Sequence, residues 1–103
     1  MRMIVQITIP VETGNRLAKE GKLGSTVQKV LADIKPEAAY FTAVEGQRGG
    51  FIIVDVKDAS DIPRIAEPLF LAFNSQISFH PVMTPEDLGK ATPHIEAAAQ
   101  AYK

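Results

Sequence analysis

The sequence predicts an α+β domain: one antiparallel sheet, two main helices on one side of it, and a helical tail. Three observations carry this prediction. Four segments alternate apolar and polar residues or are rich in β-branched types, which is the pattern of strands. Two longer segments between them carry apolar residues at helical spacing. Proline and glycine punctuate the joints. At 103 residues the chain is one domain, 1–103, with a core over 3–83 and a tail over 84–103.

The first strand covers residues 3–9, and Pro10 closes it because proline has no N–H to give the ladder. Residues 12–34 are helical. Leu23, Val27, Val30, Leu31 and Ile34 form one apolar stripe. Gly21 and Gly24 interrupt this segment, and Ser25 with Gln28 three residues on has the form of a capping box, so a kink or a second helix is expected there. Pro36 ends the element. Strands over 37–45 and 50–57 follow, joined by a hairpin through Gly46-Gln47-Arg48-Gly49. The next helix starts at Ser60 or Asp61, with Pro63 in its first turn. Its stripe is Ile62, Ile65, Ala66, Leu69 and Phe70, and Pro68 is expected to kink or stop it near Glu67. A fourth strand spans 75–82. Thr84-Pro85-Glu86-Asp87 then starts the tail helix, and Thr92-Pro93 repeats that signal. The order is β-α-β-β-α-β plus tail, the split-βαβ or ferredoxin-like order.

Eleven basic and twelve acidic residues leave a net charge of −1, which supplies no field for binding nucleic acid. The absence of cysteine removes disulfides, thiolate nucleophiles and thiolate metal sites. Two distant histidines show no metal-ligand spacing, so neither a metal nor another cofactor is expected. The first residues turn polar too soon for a signal peptide, and no apolar run approaches the roughly 20 residues that span a bilayer. The expectation is a cytoplasmic protein with no membrane partner.

Parity sorts the strand residues into two faces. One face collects Met3, Val5, Ile7, Ile9, Ala39, Phe41, Ala43, Ile52, Val54, Val56, Ile77 and Phe79, all apolar, and is expected under the helices. The other mixes Ile4, Phe51, Ile53, Val44 and Tyr40 with Gln6, Thr8, Thr42, Asp55, Ser78 and His80. It is too apolar to leave in water and too polar for an ordinary core. A second copy of the chain, packed sheet to sheet about a two-fold axis, satisfies both demands.

The element order resembles the dimeric α+β-barrel superfamily. So do the stretch Gly49-Gly50-Phe51-Ile52-Ile53-Val54-Asp55-Val56 and the run from Pro68-Leu69-Phe70 into Ile77-Ser78-Phe79-His80-Pro81-Val82. The layout over residues 3–83 is most similar to muconolactone isomerase and to small bacterial proteins built like it. The Gly21/Gly24 break and the tail depart from that layout. The resemblance implies a homodimer or larger assembly, with a pocket between sheet and helices or between sheets. Its members include cofactor-independent isomerases and monooxygenases, haem-handling enzymes and proteins of no known activity, so fold does not choose among them.

His80 is the first catalytic candidate, because an imidazole titrates near neutrality and lies on the mixed face with Ser78, Gln6 and Thr8. Asp55 is the second, as a base or as the group that fixes a histidine tautomer. Tyr40 and Thr42 offer hydrogen bonds to a ligand, and Arg48 reaches a ligand carboxylate from the hairpin. The structural alternative for all of them is a hydrogen-bonded dimer interface. The glycines around Arg48 are no phosphate loop, because a strand follows them and not a helix. Two functions follow. One is a cofactor-independent isomerase or monooxygenase acting on a small cyclic or aromatic metabolite. The other is a non-catalytic small-ligand-binding or assembly module. A cavity of about 300 Å³ or more with His80 and Asp55 facing into it is the mark of the first.

Overall fold

The computed structural model describes residues 1–103. Strand β1 spans Arg2–Thr8, helix α1 Val11–Lys19, α2 Leu23–Ile34, β2 Ala38–Val44, β3 Gln47–Asp55, α3 Ile62–Phe73, β4 Gln76–Pro81 and α4 Pro85–Ala101. The four strands form one antiparallel sheet in the order β2-β3-β1-β4, so β1 lies at the centre beside β4, as a ferredoxin-like arrangement requires. The sheet does not close on itself. Strands β2 and β4 are free edges.

The break expected near Gly21 divides the first helical region into α1 and α2. Gly21 takes φ +69, a left-handed conformation that releases the chain from α1. The capping box expected at Ser25 and Gln28 does not form. Helix α2 already begins at Leu23, and the Ser25 hydroxyl donates back to the Lys22 carbonyl at 3.1 Å. The hairpin is also tighter than expected. Glu45 at φ 52 and Gly46 at φ 77 make a two-residue turn of the primed type, closed by the Val44–Gln47 pair. Gln47, Arg48 and Gly49 therefore belong to β3.

Helix α3 runs through Pro68 to Phe73. An interior proline costs about 3 kcal/mol. Ile65, Leu69 and Phe73 lie four residues apart and are all buried, and burying each such side chain contributes about 1.5–3 kcal/mol. Packing therefore outweighs the lost hydrogen bond. Asn74, left-handed at φ 54, ends α3 and donates from Nδ2 to Thr13 Oγ1 at 3.2 Å, tying this end to α1. The C-terminal region is one helix, not two. Thr84 and Asp87 form its reciprocal capping box, and Thr92-Pro93 starts nothing new.

Val5, Ile7, Ile52, Val54 and Val56 face α3 and α2 and form the core with Val30, Ile34, Ile65, Leu69 and Phe73. Phe41 and Ala43, expected under the helices, are exposed, because no helix reaches over the outer end of edge strand β2. No residue of α4 is buried. At a rise of about 1.5 Å per residue it extends roughly 25 Å, and it stands off a molecule 59 Å in its longest dimension. No helix is long and apolar enough to cross a membrane.

Candidate functional site

A cavity of about 520 Å³ lies between the sheet and α2 on the apolar face. Its inner wall is Ile7, Ile34, Ile52, Leu69 and Phe73, all at most 7% exposed. Its exposed lining residues, Gly24, Gln28, Phe41, Thr42 and Arg48, mark the mouth. The cavity exists because α2 spans a part of the sheet whose floor is Gly49 and Gly50. Gly50 pairs with Ile7 on one side and Phe41 on the other. A Cβ at Gly50 would collide with the Tyr40 carbonyl oxygen, and one at Gly49 with the Ile7 carbonyl oxygen. Side chains are excluded at both positions by the close approach of neighbouring strands, and because Gly50 is the one of the two that faces α2, no side chain rises between Arg48 and Ile52 of β3 to fill the space there.

Arg48 is the only charged residue lining the cavity. Its Nη1 donates to Asn15 Oδ1 at 2.9 Å. The guanidinium lies against Gly14 of α1, where a Cβ would stand only 2.8 Å from Nη1. Arg2, Arg16 and Arg64 each pair with a carboxylate, and Arg48 does not.

The other face is open. Read across the strands, Ser78, Gln6, Phe51 and Tyr40 form one row, and His80, Ile4 and Ile53 form the next. Ser78 Oγ and His80 Nε2 share a hydrogen bond at 3.0 Å, and both residues are exposed. Gln6, Thr8 and Ser78 also line a small polar depression of about 150 Å³ with Glu45 and Gln76. Asp55 stands apart, at the far end of β3 opposite Arg2, where its Oδ1 lies 3.1 Å from the amino group of Met1. With β1 between them, strands about 4.8 Å apart and a two-residue offset at about 3.4 Å per residue, Asp55 and His80 are roughly 12 Å from each other across the sheet. No three His, Asp or Glu side chains converge into a metal-binding group.

The predicted residues thus fall into three places. Arg48 and Thr42 are at the cavity mouth, Gln6, Thr8, Ser78 and His80 are on the open face beside β4, and Asp55 is at the opposite rim. Tyr40 is 64% exposed on edge strand β2. Sequence reasoning missed the cavity-lining residues of α2, Leu23, Gly24, Val27 and Leu31, as functional. Their signal was Gly50, which removes one side chain from the strand face under that stripe. No protein-family model matches the chain, and no curated protein matches it.

Proposed function

We propose that the protein is a small-molecule-binding module that takes an apolar ligand between its sheet and α2. The observation that supports this is the composition of the cavity wall: aliphatic and aromatic side chains, with Thr42, Gln28 and Arg48 as its polar side chains. General acid–base catalysis needs a group that gains and loses a proton near the working pH. A guanidinium stays charged, and an amide and a hydroxyl do not titrate there. Binding is the activity these residues suit. The volume lies in the range of sites for small organic molecules.

Octanol is the probe, and amide chemical shifts are the measurement. Octanol is expected to shift the amides of α2 and of β3 around Gly49 and Gly50. Gly24→Trp should abolish the response, because a Cβ at residue 24 meets nothing within 4 Å and the indole then occupies the mouth. An unperturbed spectrum of the natural protein at saturating octanol would end this reading.

The Ser78–His80 hydrogen bond favours a second reading. Here the open face, covered by a second copy, carries a cofactor-independent isomerase or monooxygenase acting on a small cyclic or aromatic metabolite. His80 would be its acid or base, and Gln6 and Thr8 would hold the ligand. Half-buried Ile4, Phe51 and Ile53 give that pairing its apolar contact. Sedimentation equilibrium is expected to give twice the chain mass of 11.2 kDa. A monomer at tens of micromolar would remove the cover that this chemistry needs.

A further inference from the structure

We infer that the ligand of the cavity is an amphipathic monocarboxylate, seated with its apolar body under α2 and its carboxylate on Arg48. This rests on the cavity reading above and adds the chemistry of the head group.

Three features of the mouth support it. The first is the state of Arg48. A guanidinium carries five N–H donors in a planar fork that matches a carboxylate. The only side-chain acceptor it meets is Asn15 Oδ1, a neutral amide that orients the group without neutralising it. The backbone at Gly14 makes room for that orientation, so the fork is held at the rim by α1.

The second is the absence of competing charge. No aspartate or glutamate lines the cavity. Of the carboxylates close in sequence to the mouth elements, Glu45 lines the separate depression with Gln6 and Thr8 on the other face, Asp33 pairs with Lys29 at 3.3 Å, and Glu20 pairs with Arg16 and Lys22 at 3.6 and 3.7 Å. An entering anion meets one cation and no like charge on the wall.

The third is the start of α2. Leu23 and Gly24 open the helix and line the cavity, no side chain caps this end, and its first turn carries no acid. The unpaired N–H groups and the positive end of the helix dipole add to the favourable potential for an anion at the mouth. Behind the mouth the wall is apolar, so a compact polar anion would leave the cavity unfilled. A carboxylate on an alkyl or aryl body fits both parts.

The test compares octanoate with octanol, which share a chain and differ at the head, by titration at pH 7 and low ionic strength. In the natural protein both probes bind. In Arg48→Gln the ratio of octanoate to octanol affinity should fall about tenfold, the size of one charge-assisted hydrogen-bonded pair at a partly exposed site. Arg48→Lys should keep that ratio within about threefold of the natural value, since the charge survives while the fork is lost. Octanol binding by each variant reports that it is folded. If octanol binds and octanoate does not, or if the ratio is the same in Arg48→Gln, the carboxylate inference fails and the cavity reading stands. If neither probe binds the natural protein, both fail together.

Discussion

Helices α2 and α3 are each twelve residues long, lie on the same face of the same sheet, and carry similar apolar stripes, yet they pack differently. Helix α3 buries Ile65, Ala66, Leu69 and Phe73. Helix α2 buries only Val30 and Ile34, leaving Leu23, Val27 and Leu31 half-exposed over the cavity. The cause lies in the strands. Val5 and Val54 belong to the core and do not line the cavity, whereas Gly50 leaves the sheet bare of a side chain in the cavity's lining beside Leu23, Gly24 and Val27 of α2. The cavity here comes from omitting a side chain in a strand, while the helix above keeps an ordinary apolar stripe.

The sharpest way to break this comparison is to truncate one residue under each helix. Ile65 has no exposed surface, belongs to the core cluster and does not line the cavity. Ile65→Ala should destabilise the protein by about 3–4 kcal/mol, the lost transfer energy plus a new cavity. Leu31 lines space that is already open and is only half-buried. Leu31→Ala should cost about 1 kcal/mol, because it removes contacts and makes no new void. Urea unfolding of the two variants measures the difference. Equal losses would mean that α2 is packed as tightly as α3 and that the cavity is not open in solution.

The same contrast explains what was legible in the sequence. Element order, the break at Gly21 and the Thr84 cap follow from local pattern and connection rules, and the structure has all of them. Of the kink or stop that local rules expect at Pro68, the stop does not occur, because the stripe through Ile65, Leu69 and Phe73 outweighs one missing N–H once it meets the sheet. Local rules also made loop of Arg48 and Gly49, since glycine near a turn reads the same whether it bends the chain or flattens a strand against its neighbours. That choice hid the cavity. Parity puts Gln6, Thr8, Ser78 and His80 together on the mixed face, as the register has them, but Thr42 on edge strand β2 also lines the cavity mouth, and parity does not say how far apart two residues on one face lie. Asp55 and His80 share a face and do not meet.

The two ends of α2 complete the comparison. At its C-terminal end Arg64 of α3 donates from Nη1 to the Ile34 carbonyl at 3.0 Å while pairing through Nε with Asp61 at 2.8 Å. At its N-terminal end no capping side chain holds it. Helix α2 is thus tied to α3 at the end far from the mouth, and no side chain caps the end beside it. The anchor titrates. The hydrogen bond from Arg64 holds the Asp61 carboxyl below its ordinary value of 3.8. A carboxyl depressed on folding adds stability that is complete above its unfolded value and disappears as pH falls through the folded one. Acidification below about pH 4 should therefore loosen this tether, and exposure to solvent and salt keeps the effect on global stability small. Arg64→Gln should return the Asp61 pKa, followed by its carboxyl carbon shift, toward 3.8. It should also speed amide exchange in the last turn of α2 at neutral pH. An unchanged Asp61 titration in Arg64→Gln would show that the pair is not formed in solution and that α2 is held at Ile34 by packing alone.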